Sequence, residues 1–482
     1  MTDLPRPDGR RRNPWLRDAL AAEGDPPPAP PPASDLDVDV AIVGGGYTGL
    51  WTAYRLTEHD PNLRVAILEQ DICGGGPSGR NGGFVNAWWD EISTFVDLFG
   101  PDGARDCAEA VAESVIDIGA WCERHGVDAH YRRAGMLQVS TTPLHDGRWH
   151  DDVAAVAALG HPQAYVPLAA DEVAARCRSP RFRGGALMRD GATVQPALLA
   201  RGLRRVCLDR GVAIHEGTRV TRIADRSGPV VRLRTESTVG RHEVRAAQVV
   251  MALNAWTAGW NPFRHRLLAW GSYMVRTEPA PGLIASELGW TGGESIVDAR
   301  FSVHYLHVTR DGRIAIGAGG GKPGLGGHIG RSFTDDVPSA ERASAGLRWL
   351  FPALDDVAVT DAWGGPIDIS PDHVPQFGTL PGGRVHYGFG YSGNGVAPSH
   401  LGGRILAGLV VGADDAPARL PVVGRRPRRF PPEPLRFVGA TLLRQAMIRR
   451  EDAEEAGRRP NRFLRELSRL PRRLGYHLGP GA

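Results

Sequence analysis

Gly44, Gly46 and Gly49 stand in the spacing G-x-G-x-x-G, with Tyr47 and Thr48 before the last glycine and Glu69 20 residues beyond it. These residue types suit the pyrophosphate and ribose of a dinucleotide. Glycines let the backbone turn tightly and approach the phosphates, a following helix N-terminus supplies partial positive charge, and a carboxylate bonds a ribose hydroxyl. A lone G-x-G-x-x-G is weak. Here it follows an apolar strand at 38–43 and opens a helical pattern from Tyr47 to about His59, and Glu69 ends a second strand at 64–69.

A second glycine run decides between a nicotinamide and a flavin dinucleotide. Residues 74–83 hold six glycines, with Ser78, Arg80 and Asn81 as donors and Gly82 and Gly83 at the end. A simple nicotinamide-dependent dehydrogenase has no need of a second phosphate-hugging loop there. A flavin dinucleotide must be held along its whole length. A third loop, closing with Gly393, Asn394, Gly395 and Val396, opens an amphipathic helix from about 397 to 409. Its N-terminus could stabilise negative charge on a reduced flavin's pyrimidine ring.

The rest of the chain must position these loops. At 482 residues it is too long for one core of usual size, and 42% hydrophobic against 23% charged residues excludes global disorder. The periodicity predicts a helix at about 103–125 and short strands at 219–224, 230–235 and 241–245 that lead into a buried strand, 248–253. Longer strands at 267–278, 296–309 and 312–318 suit an antiparallel sheet. Residues 1–34 end in a stiff proline-rich linker, a tail without the apolar run of a secretion signal. Five scattered cysteines without C-x-x-C spacing or a metal-like pattern with His read as reduced thiols in a cytoplasm. No apolar run is long enough to span a membrane.

Net charge is +3, but residues 421–482 carry 15 Arg against 6 acids, which leaves a mildly acidic body and argues against a chain-wide nucleic-acid surface. Leu435, Val438, Leu442, Leu443 and Met447, set among arginines, predict a basic amphipathic helix. It is expected to dock on its own or a partner subunit, with contact at a membrane surface as the lesser alternative. Lys322 is the only lysine, and so the one candidate for catalytic-amine chemistry. Trp88 and Trp89 could close a substrate pocket or form a hydrophobic staple.

The segments GGGYTGLWTAYRL, CGGGPSGRNGGF, WGGPIDISPDHVPQFG and YGFGYSGNGVAPSHLGGRILAG resemble the D-amino-acid oxidase superfamily of FAD-dependent oxidoreductases. Within it they are similar to the γ-glutamylputrescine oxidoreductase-like amine oxidases, and nearer still to an aminophosphonate oxidoreductase subgroup. The likeness covers roughly 36–415. It implies an α/β fold, α+β overall: a Rossmann-type FAD-binding domain from 35–96, 180–265 and 362–415, and an inserted antiparallel-sheet substrate domain from 97–179 and 266–361. A basic extension, 416–482, follows.

The resemblance implies non-covalent FAD, because the flavin-linking Cys of some relatives lies late in the chain and all five cysteines here precede residue 208. It places Val220 and Asn254 on the adenine side, and Trp363 with Gly364 as a wall beside the flavin. It puts 301–307 on a strand facing the flavin cavity. Alternation sets His304 on one face and Tyr305 and His307 on the other, and one of these could take a proton from a substrate amine. Some relatives keep a Lys near the flavin; Ala315 takes that place here, and Lys322 sits beyond it in a turn. The chemistry implied is oxidation of a C–N bond in a small amine, amino acid or aminophosphonate, with hydride passing to flavin, hydrolysis of the imine, and oxygen or another carrier as acceptor. The alternatives are a flavin-binding protein without turnover and, less favoured, an NAD-dependent dehydrogenase.

Overall fold

The computed structural model describes residues 12–226, 228–474 and 476. Its first sheet is laid out around Leu36–Val43, whose last four residues are buried. Parallel neighbours lie on both sides, Val65–Leu68 and Gly240–Met251; Ala213–His215 extends one edge and Val385–Phe389 the other, where Gln376–Thr379 adds an antiparallel strand. Strands buried on both faces need continuous apolar runs, and Ala-Ile-Val at 41–43 supplies one. The chain leaves this strand at Gly44, whose φ of 110° and position against the Ala252 carbonyl exclude any side chain.

Helix Tyr47–His59 follows and buries Leu50, Trp51 and Tyr54. It stops at Asp60, whose extended backbone is the conformation favoured before Pro61. It packs on helix Val396–Val411, so the first and third glycine loops meet through their own helices.

The second sheet has eight strands in the order Val359–Ile369, Leu268–Thr277, Ile314–Ala318, His304–Val308, Ser295–Asp298, Met136–Ser140, Gly184–Met188 and Tyr165–Leu168. One face rests on helix Val337–Leu350 and a core that includes Leu306, Ile316 and Leu347. Across the other face the register lines up Trp363, Met274, Gly317, Tyr305, Val297 and Gln138, one residue from each of six strands.

Several elements differ from the sequence expectation. The strand expected at 296–309 is two strands. The Asp298 carboxylate takes the His304 backbone N–H at 2.9 Å and the His304 ring at 2.7 Å, which folds 299–303 into a turn. The helix expected from 103 begins at Ile92 and bends at Gly100–Pro101. The strands at 241–245 and 248–253 fuse into the single strand Gly240–Met251. Gly184–Met188 and Val359–Ile369, in or overlapping segments assigned to the flavin unit, pair within the second sheet.

Residues 1–11 of the expected tail lie outside the described residues. The part that follows is not only linker: helix Pro14–Ala22, capped by the Asn13 side chain, buries Trp15, Leu16 and Ala19. Beyond the body, helix Leu435–Glu455 is held by Arg436, which donates to the carbonyls of Arg264 and Leu267, and by Glu451, which accepts the Phe301 and Ser302 N–H groups.

A buried ion cluster ties the N-terminal linker to the dinucleotide loops. Glu216 accepts N–H groups from Ala29 at 2.6 Å and Cys73 at 2.8 Å, and the Arg204 guanidinium through two bonds of 2.9 Å. Burial pulls its carboxyl up, but these bonds outweigh it and hold the group below the usual range. Glu216→Ala leaves Arg204 buried without its partner and should lower unfolding free energy by about 3–5 kcal/mol. The denaturant midpoint checks this, and a loss under about 1 kcal/mol would contradict it.

Candidate active site

One cavity of about 2380 Å³ runs between the two sheets, lined by the three glycine loops below and by the row Trp363, Met274, Tyr305, Val297 and Gln138 above. A pocket for a single small ligand is commonly about 300–1,000 Å³, so this one has room for a dinucleotide and a substrate together.

At the first loop, Glu69 accepts the Gly45 N–H at 2.7 Å and the Asp71 N–H at 2.8 Å, and burial pushes its carboxyl up to about 7. Each oxygen keeps a lone pair that could take a ribose hydroxyl. Ser78 accepts the Tyr47 N–H at 2.8 Å, which pins the second loop to the first turn of the helix and leaves the Ser78 hydroxyl proton free to donate. The Tyr47 phenol is spent on the Pro196 carbonyl, and Thr48 shares a hydrogen bond with Tyr391.

Asn81 works inside its loop: its amide N–H group donates to the Pro77 and Ser78 carbonyls and its oxygen accepts the Gly83 N–H. Arg80 reaches out of it. Its guanidinium donates to the carbonyls of Gly75 at 2.9 Å and Gly364 at 3.1 Å, while the Trp363 indole donates to the Arg80 carbonyl at 2.9 Å. Burial lowers the Arg80 guanidinium to about 10, which still leaves it charged at neutral pH.

Gly82, Val220, Asn254, Gly393, Asn394, Gly395 and Val396 all line the cavity. Asn254 has a φ of 46° and a buried side-chain oxygen without a partner among the described residues, an acceptor suited to a bound hydroxyl. Asp368 is a wall residue that sequence reasoning missed. It is buried, accepts the Gly390 N–H at 2.5 Å, and is pushed up by burial to about 7.

Overhead, Tyr305 lies across Gly317, where any β-carbon would collide with its ring, and its hydroxyl bonds Ser272 at 2.7 Å. Burial pushes this phenol up to about 12, so it stays protonated. The two histidines expected beside it do not reach the cavity. His304 points to the opposite face, held by Asp298 and packed on Gly346 of the helix beneath. His307 shares the Tyr305 face but sits behind the wall, stacked on Trp15 at 6.1 Å and edge-on to Phe84, and burial lowers it to about 4, leaving it neutral. Strand alternation separated the faces correctly; what lay behind His307 depended on a helix 290 residues away in sequence. Lys322 is half-exposed, paired with Asp336, and away from the cavity wall.

The family described as FAD dependent oxidoreductase, DAO, matches residues 39–409. The chain belongs to this family.

It is 30% identical over 399 residues to γ-glutamylputrescine oxidoreductase of Escherichia coli K12, covering 80% of this chain and 87% of that protein. It is 25% identical over 394 residues to glycine oxidase of Pseudomonas putida KT2440, covering 79% and 96%. Among solved structures, glycine oxidase from Geobacillus kaustophilus superposes with a TM-score of 0.64 at 22% identity, over 82% of this chain and 100% of that one. L-proline dehydrogenase from P. horikoshii gives 0.64 at 18%, over 80% and 96%. These two show the shared fold.

The protein is therefore an FAD-dependent enzyme of the DAO family, and the nicotinamide and non-turnover alternatives fall. Its residues fit FAD: a pyrophosphate-sized turn at a helix N-terminus, a carboxylate with spare lone pairs, and the unpartnered Asn254 oxygen all face one cavity. Among the described residues no helix is long and apolar enough to cross a membrane.

Glu69→Ala should weaken FAD retention about 10- to 100-fold, the range for losing a charged hydrogen bond, with Glu69→Gln intermediate. The ratio of flavin to protein absorbance after desalting checks it, and unchanged occupancy would remove Glu69 from the ribose site.

Proposed function

We propose that the enzyme oxidises the C–N bond of a small amine or amino acid to an imine, which water then hydrolyses. The observation that carries this reading is one cavity lined both by Tyr305 and Ser272 and by the three glycine loops, with the Tyr305 ring packed against Gly82 of the second loop. The named relatives support it, since γ-glutamylputrescine oxidoreductase and glycine oxidase both bear the names of nitrogen-bearing substrates. The Gly44–Gly49 turn, Glu69, the 74–83 loop and the 393–396 loop would hold FAD, which when bound would supply the hydride acceptor.

The chain's own residues bind, orient and exclude water. Only the neutral amine has a lone pair to assist loss of hydride, and burial in the cavity favours the neutral form. The protonated Tyr305 phenol, kept in place by Ser272, offers the substrate a hydrogen bond rather than a base. Trp363 and Met274 make the apolar part of the roof. His307, neutral and walled off, backs the roof rather than meeting the substrate. In this reading the strands around Leu36–Val43 form the flavin unit and the second sheet forms the substrate unit.

An aminophosphonate, the finer expectation from the subgroup likeness, would need an arginine free to meet an anion. Of the cavity-lining arginines near the roof and second loop, Arg80 is spent on carbonyls, Arg12 on Asp71, and Arg300 on Glu451 and Glu455. These three are committed; Arg444, which also lines the cavity, gives its Nε to the Gly320 carbonyl and has no acidic partner in an ion pair among the described residues, so the lining does not select against an anion.

Tyr305→Phe should retain FAD and slow anaerobic flavin reduction by the best amine about tenfold, the effect of one buried hydrogen bond. The reduction rate of both wild type and variant should rise with pH and level off as the substrate ammonium is deprotonated. Stopped-flow bleaching of the flavin across pH checks both; a Tyr305→Phe rate equal to wild type would remove the phenol from substrate positioning.

A further inference from the structure

Downstream of the second glycine loop, strand Phe84–Asn86 carries the chain to the short turn Trp89–Glu91. Trp88 and Trp89 are both buried, the first stacked on Phe95 at 4.8 Å and the second donating its indole N–H to Asp190. They form no lid; Trp88 packs on Phe95 in the first turn of helix Ile92–Arg124, as a hydrophobic staple does. With both rings anchored in the core, Asp90 and Glu91 are left on the wall of the cavity.

Neither carboxylate has an ion pair among the described residues, and one Asp90 oxygen is buried without any partner. The charged neighbour is another acid, Asp152, held by the Ser93 N–H at 2.9 Å. Burial first, and repulsion among these acids second, push Asp90 up to about 7 and Glu91 well above its usual range. Beside them Asn86, 5% exposed, lines the same cavity; its amide N–H donates to the Met136 sulfur and its oxygen is also without a partner. Gln138 completes this end, bonded to the Tyr165 hydroxyl. These half-buried acids have no cationic partner among the described residues, and a ligand cation would favour their ionised form.

The position of this acidic end is set by the roof. Gln138 lies two strands from Tyr305 in the row across the second sheet. At about 4.8 Å per strand, that is about 10 Å. The acids therefore stand away from the Tyr305–Ser272 pair, along the same cavity.

We propose that Asp90 and Glu91 bind a second, non-reacting cationic nitrogen of the substrate, so that the preferred class is a linear diamine or another amine with an ammonium or guanidinium at the far end of an alkyl chain. This rests on the amine-oxidising reading and narrows it. The chain's length, not its functional group, then sets which carbon reaches the flavin loops.

The test is anaerobic flavin reduction of the holoenzyme by matched pairs: butylamine with 1,4-diaminobutane, and hexylamine with 1,6-diaminohexane, alongside glycine and 2-aminoethylphosphonate. At least one diamine should exceed its monoamine by about 10- to 100-fold in reduction rate over Kd, the range for a charged hydrogen bond. The isosteric double change Asp90→Asn and Glu91→Gln should collapse that ratio to within about threefold of unity, with FAD content as the control for folding. Glu91→Gln alone should fall between. Equal reduction by monoamine and diamine, a ratio that survives the double change, or a preference for the aminophosphonate would overturn this inference while leaving amine oxidation standing. Reduction by none of the amines would overturn both.

Discussion

The second glycine loop and the roof of the cavity are fastened by two hydrogen bonds that run in opposite directions. The Arg80 guanidinium donates to the Gly364 carbonyl, and the Trp363 indole donates to the Arg80 carbonyl. Because the guanidinium is buried and its bonds end on carbonyls, it cannot be released cheaply into the cavity to meet a ligand. This clasp joins the second glycine loop to strand Val359–Ile369 in the roof of the cavity. The height of the cavity, and with it the separation of Tyr305 from the dinucleotide loops, follows from that join. Gly317 completes the arrangement by letting the Tyr305 ring lie flat along the roof.

Segments outside the matched 39–409 region support the same geometry. Trp15, on a helix before the first strand, meets Trp363 edge-on at 5.5 Å and carries the Arg276 guanidinium over its face at 5.1 Å. Its cluster includes Met274 and Ala315, so it backs the roof from behind. At the other end of the chain, Arg444 donates to the Gly320 carbonyl, and Leu443 and Met447 line the cavity. The cavity is thus closed in part by elements that lie outside the matched region.

The dinucleotide half of the site was legible in the sequence because its signals are local. A strand, a glycine turn, a helix and a terminal acid fall within about 25 residues, and each is dictated by backbone sterics that do not depend on distant contacts. The roof was less legible. Alternation separated His304 from Tyr305, but whether His307 meets solvent, substrate or Trp15 is decided by a helix far away in sequence. The break at 299–303 needed Asp298 to capture the next strand's first N–H, a tertiary bond with no periodic signature. Asp90 and Glu91 carry no signal of their own in the sequence, because it is the tertiary packing of Trp88 and Trp89 beside them that sets the acids on the cavity wall. Asp368 sits inside a motif whose glycines and tryptophan carried the visible signal.

The most direct measurement is anaerobic single turnover with an amine deuterated at the carbon next to nitrogen, followed by analysis of the organic product. Oxidation of a C–N bond in this cavity predicts full bleaching of the flavin, a primary isotope effect on its rate, and one equivalent of aldehyde or oxo acid per flavin. A flavin that stays oxidised with every amine and amino acid, or one that bleaches without isotope effect or carbonyl product, would contradict it.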